Sequence, residues 1–131
     1  MKTRWMVLLC MTLALGSLPP AFAQPITIVQ TEINSLLDYV EISGCEFYRN
    51  GSWHDSVQAQ QHMRTKYEYF SALKAIETAE DFIDKAASKS SLSGQPYEVR
   101  CGACTSVTTG PWLKAVLARY RIVAARKSNT P

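Results

Sequence analysis

Apolar side chains recur at helical spacing in four stretches of the chain. In each stretch they return every three or four positions, which is the spacing of one face of a helix. Polar and charged residues occupy the positions between them, so each helix is expected to bury one side and expose the other. The four stretches are 26–43, 53–73, 79–89 and 111 to about 125.

Short polar motifs predict where these helices begin. Ser52 is followed three residues later by Asp55, and Thr78 by Asp81, which is the spacing of a capping box. We therefore expect Ser52 and Thr78 to cap the second and third helices. Pro111 suits the first position of the fourth helix, where the missing N–H costs nothing.

Two short segments alternate between apolar and polar residues in the manner of strands. They cover 45–49 and 97–101, and Asn50–Gly51 after the first is a strong turn signal because both residues tolerate positive φ. The stretches 88–94 and 102–110 are rich in Ser, Thr and Gly and are predicted to be loops. The sequence therefore predicts a mostly helical α+β domain of about four helices and one short two-stranded antiparallel ribbon.

The first 23 residues have the layout of a cleaved signal peptide. Lys2 and Arg4 precede a mostly apolar run, and Ala21–Phe22–Ala23 places small residues at the two positions that a signal peptidase reads. The apolar run is about 14 residues long, whereas a membrane-spanning helix needs about 20. We expect cleavage after Ala23 and export to the periplasm; an uncleaved membrane anchor is the alternative.

Cleavage would leave residues 24–131 as a single domain, with an ordered core of about 26–125. The whole chain has 14 Lys and Arg against 11 Asp and Glu, and the loss of Lys2 and Arg4 leaves 12 against 11. Such a balance lacks the concentrated basic charge of a nucleic-acid-binding protein. No later stretch is apolar enough to span a membrane, so we expect neither nucleic-acid binding nor a transmembrane segment in the mature chain.

Three cysteines remain after the predicted cleavage. An oxidising compartment favours one disulfide among Cys45, Cys101 and Cys104. If 45–49 pairs antiparallel with 97–101, Cys45 lies opposite Cys101, with Cβ atoms within about 5.5 Å of each other. That distance is close to the reach of a disulfide. We therefore expect a Cys45–Cys101 bond and a free thiol at Cys104; a Cys101–Cys104 bond is the alternative.

Several motifs together match the pattern of a known family. They are FYRNGSWH at 47–54, His62–Met63 with Lys66, TAEDFI at 78–83 and ASKSSLSGQPYEV at 87–99. In this combination the chain resembles the YfeK-like family, which comprises small exported proteins of Gram-negative bacteria with a domain of unknown function. The resemblance covers roughly 30–122 and implies a family and a compartment, but no activity, cofactor or catalytic residue. Met63 stands where the family pattern has Leu, and Cys104 departs from it.

The predicted turn and helix start form a first candidate site, comprising Arg49, Asn50, Gly51, Trp53 and His54. A helix N-terminus presents free N–H groups and favours anions. Arg49 and His54 would complete a pocket for a carboxylate or a phosphate. The structural alternative is that Asn50–Gly51 only makes the turn, that Trp53 joins the core and that His54 bonds a loop carbonyl.

The serine-rich loop forms a second candidate site, with Ser90, Ser91, Gly94 and Tyr97 as its members. In the predicted ribbon Tyr97 lies beside Arg49, so this loop and the first turn would share one end of the ribbon and one groove. The structural alternative is a loop whose hydroxyl groups only satisfy its own backbone.

The histidines and the cysteines of this chain each raise the possibility of catalysis. On the predicted second helix, His54 and His62 would lie about 80° apart and about 12 Å along the axis, too far to share one metal unaided. Cys101 and Cys104 have the spacing of a redox motif, but no βαβ pattern precedes them. We therefore expect a non-catalytic module without a cofactor or a metal, which binds an envelope protein or a small ligand. The alternative is an enzyme: a thiol-disulfide oxidoreductase at Cys101 and Cys104, or a hydrolase that uses His54.

Overall fold

The computed structural model describes residues 26–130, and the predicted signal peptide with its cleavage point lies outside this range. A mostly helical α+β domain is confirmed. Its helices are α1 (Ile28–Ile42), α2 (Ser56–Ala72), α3 (Ala79–Phe82), which continues as a π-helical turn (Ile83–Ala87), and α4 (Thr109–Ser128). Its strands are β1 (Glu46–Arg49), β2 (Ser52–His54), β3 (Glu98–Arg100) and β4 (Val107–Thr108).

The sheet has four antiparallel strands in the order β2-β1-β3-β4, so the prediction of two strands was wrong. The predicted ribbon is its central pair, in the predicted register, since Phe47 pairs with Val99. Two residues further along each segment, Cys45 and Cys101 are joined by the predicted disulfide, with Cα atoms 4.4 Å apart. Cys104 is an exposed free thiol.

The segment 52–54 is a strand, and its prediction as the start of a helix was wrong. Asn50 and Gly51 have φ values of 48° and 92°, which reverse the chain into a tight hairpin. The residues after the turn therefore pair back onto β1, and His54 lies opposite Phe47. Asp55, rather than Ser52, caps α2 by accepting a hydrogen bond of 2.8 Å from the N–H of Gln58.

The start of α4 also differs from the prediction. Val107 pairs with Val99, so part of the predicted loop 102–110 is a fourth strand. The N–H of Thr109 then donates to the carbonyl oxygen of Tyr97 at 2.9 Å. This hydrogen bond holds the chain beside the sheet up to Thr109. Helix α4 begins at that residue, and Pro111 occupies its third position. The helix continues to Ser128, beyond the predicted end of the ordered core.

The hydrophobic core lies between the helices and the inner face of the sheet. Burial of this apolar surface is the main term that stabilises the fold. Four residues of the predicted apolar stripes are exposed instead, namely Ile26, Val57, Leu73 and Val123. The largest fully buried apolar side chains are Phe82, Ile33, Leu36, Leu37, Ile83, Leu113, Val40 and Val99.

Arg121 ties three helices together. Its guanidinium donates to both carboxylate oxygens of Glu32 on α1, at 2.7 and 2.9 Å, and to Glu80 on α3, at 2.5 and 3.2 Å. Glu32 is buried, and this ion pair satisfies its charge.

None of the helices within residues 26–130 combines the length and the hydropathy that a membrane-spanning helix requires.

Candidate functional site

A small pocket opens between the β1–β2 hairpin and helix α2. The cross-strand pair Phe47 and His54 shares one sheet face with Arg49, because side chains alternate along a strand. Helix α2 presents neighbouring side chains from two successive turns. The lining residues are Phe47, Tyr48, Arg49, His54, Gln58, Ala59, His62, Met63 and Tyr97.

The pocket walls are almost entirely carbon, and the cavity volume is about 40 Å³. A single water molecule needs about 10–15 Å³ measured in this way, so the cavity holds a few waters or a small apolar group. Met63 and Ala59 are buried beneath it, while Arg49, His54 and His62 are half-buried. Apolar walls with a few polar groups around them are typical of ligand sites.

A hydrogen-bonded network lies along one side of the pocket. The guanidinium of Arg49 donates to Nδ1 of His62. Because arginine can only donate, Nδ1 is the acceptor, and the neutral ring carries its hydrogen on Nε2. Nε2 faces the hydroxyl oxygen of Tyr97 at 3.1 Å.

Lys66 completes this network from the next turn of α2. Its ammonium nitrogen lies 2.7 Å from the carbonyl oxygen of Lys89 and 3.4 Å from the hydroxyl oxygen of Tyr97. The same nitrogen lies 5.1 Å from the centre of the Tyr97 ring. Two neutral oxygens and an aromatic ring are thus the contacts of this cation.

The network shifts the pKa values of its members. Burial, followed by the charges of Arg49, Lys66 and His54, lowers the pKa of His62 to about 4. The pKa of Lys66 falls to about 8 through burial, then through the charges of Arg49 and Lys89. Burial raises the pKa of the Tyr97 hydroxyl. At neutral pH, His62 and Tyr97 are therefore uncharged beside the cation Arg49.

The cluster has no carboxylate of its own. Among residues 26–130, ion pairs join lysines and arginines to Glu32, Glu46, Glu80, Asp81 and Asp84, but none involves Arg49 or Lys66. Charges of one sign at a partly apolar cleft concentrate the field and attract counter-ions. This end of the domain is therefore suited to an anion.

Comparison with known proteins identifies the family. The sequence model described as "Family of unknown function (DUF5329)" matches residues 27–121. The chain belongs to the DUF5329 family. It is also 36% identical over 91 residues to "Uncharacterized protein YfeK" of Salmonella typhimurium, which covers 69% of this chain and 74% of that protein. The YfeK-like resemblance is therefore confirmed, and no solved structure matches the chain at a significant level.

The two candidate loops of this DUF5329 domain meet, as the shared end of the ribbon predicted. The amide nitrogen of Asn50 donates to Ser90 Oγ at 3.2 Å, and Ser93 Oγ donates to the amide oxygen of Asn50 at 3.0 Å. Ser90 Oγ also accepts from the N–H groups of Leu92 and Ser93, both at 3.3 Å. The buried Ser90 hydroxyl therefore braces the loop.

The structure brings together only some of the predicted site residues. Arg49, His54 and Tyr97 line the pocket, whereas Asn50 and Ser90 join the two loops beside it. Of the others, Ser91, Gly51 and Gly94 are exposed and do not line the pocket. Trp53 lies on the opposite face of the sheet, against Tyr48 and beneath Arg100.

Trp53 belongs neither to the pocket nor to the core, because strand β2 directs its side chain to the outer face of the sheet beside Tyr48. Its ring lies 3.9 Å from the guanidinium carbon of Arg100, on the outer face of the sheet. The same strand carries His54 to the inner face, since successive side chains alternate. The hairpin thus places Trp53 and His54 on opposite faces of the sheet, although the sequence analysis grouped them in one candidate site.

His54 and His62 line the same pocket, and the prediction that both lie on one helix, about 12 Å apart along its axis, was wrong. His54 lies on β2, outside α2, so the helical geometry does not apply to it. Lys66 was missed as a site residue, although its spacing of four from His62 on a predicted helix places the two side chains on one face. Among residues 26–130, no cluster of three metal-ligating side chains occurs.

Proposed function

We propose that this DUF5329 domain is an exported, periplasmic module that binds a small organic anion without catalysing its conversion. The supporting observation is a cationic network beside a carbon-lined pocket, with no carboxylate partner among the described residues 26–130. Export rests on the signal-peptide layout of residues 1–23 and on the family resemblance.

The charge of the ligand follows from the side chains around the opening. Arg49 is half-buried, and within residues 26–130 its guanidinium hydrogen-bonds only neutral His62, so no carboxylate of this range neutralises its charge. A guanidinium holds carboxylates and phosphates through two parallel hydrogen bonds. His54 lines the same pocket from the neighbouring strand and supplies a further donor to an oxygen atom held there.

The body of the ligand follows from the size and polarity of the cavity. Phe47, Ala59 and Met63 line it with carbon, and its volume of about 40 Å³ admits a short group only. A chain of about two to four carbon atoms matches this space. Such a group contributes about 0.8 kcal/mol for each buried methylene. We therefore propose a short aliphatic carboxylate, either free or as the terminal residue of a larger molecule.

Calorimetric titration with propionate tests this proposal. Propionamide has the same shape without the charge, and inorganic phosphate has the charge without the apolar group. We expect propionate to bind more tightly than either, because only propionate uses both halves of the site. Equal binding of propionate and propionamide would contradict the anionic part of the proposal.

Two matched variants locate the binding site. Arg49→Gln should weaken propionate binding about tenfold or more, since it removes a charged hydrogen-bond donor. Arg119→Gln removes an exposed arginine on α4, outside the pocket, and should leave binding unchanged. Equal loss in both variants would mean that the anion responds to net charge and not to this site.

A further inference from the structure

We propose that the hydroxyl of Tyr97 donates its hydrogen to the bound ligand, so that this residue selects short carboxylates with an acceptor oxygen on the adjacent carbon, namely 2-oxo acids. The proposal rests on the proposed function, because it concerns the same pocket, and it adds a second point of recognition to Arg49. It follows from the donors and acceptors that surround the Tyr97 hydroxyl.

The direction of these hydrogen bonds is set at Arg49. A guanidinium has N–H donors and no acceptor, so Nδ1 of His62 accepts from Arg49. In the neutral ring the other nitrogen then carries the hydrogen, and Nε2 can only donate. Its partner is the hydroxyl oxygen of Tyr97 at 3.1 Å, which is therefore the acceptor of this bond.

Lys66 uses the remaining acceptor capacity of the same oxygen. Its ammonium group is also a donor only, and its nitrogen lies 3.4 Å from the hydroxyl oxygen. A hydroxyl oxygen has two acceptor lone pairs, and His62 and Lys66 occupy both of them. Neither neighbour can take the hydroxyl hydrogen, because neither presents a lone pair to it.

The hydroxyl hydrogen of Tyr97 has no acceptor among residues 26–130. Within this range the hydroxyl group makes hydrogen bonds with His62 and Lys66 only. Burial raises the pKa of the Tyr97 phenol, so the hydroxyl keeps its hydrogen at neutral pH. The side chain is 5% exposed and lines the pocket. A buried donor without an acceptor is unfavourable, and an oxygen atom of a ligand in the pocket removes this penalty.

The ligand group that meets Tyr97 must accept a hydrogen bond. Both lone pairs of the hydroxyl are occupied, so an N–H donor of a ligand finds no partner there. A carbonyl oxygen only accepts, which matches a neighbour that can only donate. Next to the carboxylate, it supplies this acceptor without lengthening the short chain that the cavity admits. An amino acid places an ammonium group at the same carbon and is disfavoured.

Calorimetric titration of the folded protein with pyruvate, propionate and L-alanine tests the proposal. All three have a methyl group and a carboxylate, and the carbon between them carries an oxygen, hydrogens or an ammonium group. We expect pyruvate to bind about three- to tenfold more tightly than propionate, since one hydrogen bond is added. L-Alanine should bind more weakly than propionate. Equal affinities for pyruvate and propionate, or L-alanine binding as tight as that of pyruvate, would overturn the proposal.

A substitution that removes only the hydroxyl locates the effect. Tyr97→Phe keeps the ring and should bind pyruvate and propionate with equal affinity, because Arg49 still holds the carboxylate. Tyr69→Phe, at an exposed residue of α2, is the matched control and should keep the wild-type preference. A preference for pyruvate that survives in Tyr97→Phe would overturn the assignment to this hydroxyl.

The hydrogen-bond directions can also be measured in the wild-type protein without a ligand. ¹⁵N NMR of the His62 ring distinguishes a nitrogen that carries a hydrogen from one that does not. We expect the hydrogen on Nε2 and none on Nδ1. The opposite tautomer would make Nε2 the acceptor of the Tyr97 hydrogen and would overturn the proposal, whether or not Tyr97→Phe folds.

The outcome is distinguishable from that of the proposed function. The proposed function fails if propionate binds no better than propionamide. The inference about Tyr97 fails if propionate binds through Arg49 but pyruvate binds no more tightly. In that case the pocket remains an anion site, and Tyr97 is only a structural member of the network.

Discussion

The Nε2 atom of His62 lies 3.1 Å from the hydroxyl oxygen of Tyr97, although 35 residues separate them in the chain. This contact joins helix α2 to the segment before β3. With Arg49 on the other nitrogen of the ring, it holds a neutral histidine among cations. The position and the ionisation of His62 are thus set by the fold.

The stability of the domain should fall as the pH is lowered from 7 to 5. Unfolded, His62 takes up a proton near pH 6.5, whereas the folded state does so only near pH 4. Between these values the unfolded chain binds more protons, so the stabilisation present above pH 6.5 is lost as the pH falls towards 4. Because His62 is only half-buried, we discount the shift for solvent screening and expect a loss of about 1 kcal/mol.

Urea unfolding at pH 5 and 7 measures this effect. His62→Gln should flatten the dependence, while His54→Gln should keep most of it, since the charge of His54 is the smallest of the causes that lower the pKa of His62. The carboxyl groups of Glu80 and Asp81, whose pKa values are lowered by hydrogen bonds, lose their contribution at more acid pH. An equally steep dependence in His62→Gln would rule out this histidine as its source.

The processed protein should begin at Gln24 and contain one disulfide. Intact-mass and peptide mapping of protein from the periplasm, with thiols alkylated before reduction, tests both points. We expect a Cys45–Cys101 bridge and an alkylated Cys104. A chain that retains residues 1–23 would contradict export by cleavage.

Loss of the disulfide should destabilise the fold. Cys45 and Cys101 are 56 residues apart, and a bond that closes a long loop restricts the unfolded chain. The double substitution of both residues by serine should cost about 2–4 kcal/mol of unfolding free energy. Cys104→Ser is the matched control and should cost nothing measurable, since its side chain is exposed.

Removal of the Arg121 side chain should loosen the packing of three helices. Arg121→Met keeps the aliphatic stem and leaves Glu32, which is buried, without its cation. We expect a loss of about 1–2 kcal/mol, because Arg121 itself is partly exposed and its pairing is screened. Arg119→Met on the same helix is the control, and an equal loss there in urea unfolding would refute the ion-pair explanation.

Gly110 should tolerate no side chain. A Cβ atom at this position would lie 2.7 Å from Ser88 Oγ, which donates to the carbonyl oxygen of Ile83 at 2.6 Å. Gly110→Ala should therefore cost about 1–3 kcal/mol. If the clash with Ser88 Oγ is the cause, the double variant Gly110→Ala with Ser88→Ala should lose less unfolding free energy than the two single variants together. Strictly additive losses would exclude the clash as the cause.

The central strand pairing could be predicted from the sequence, but the hairpin next to it could not. Alternation in 45–49 and 97–101 leaves one register that buries Phe47 with Val99, because a slip by one residue would turn both segments over. In contrast, Ser52 and Asp55 have the spacing of a capping box whether 52–54 is helix or strand. The hairpin is decided by the positive φ values at Asn50 and Gly51.

The candidate site was predictable only in part for the same reason. Arg49 and Tyr97 followed from the ribbon register and do line one pocket. His54 reaches that pocket because it extends a strand, so its proximity to His62 depends on the tertiary fold and not on spacing. The relation of Lys66 to His62, by contrast, was available from helical periodicity.

The most direct test of the central claim is a titration of ¹⁵N-labelled protein with propionate, followed by two-dimensional NMR. The account predicts shifts concentrated at Arg49, His54, Ala59, His62 and Tyr97, and their loss in Arg49→Gln. Shifts that spread over α4, or that appear equally with propionamide, would contradict an anion site in this pocket.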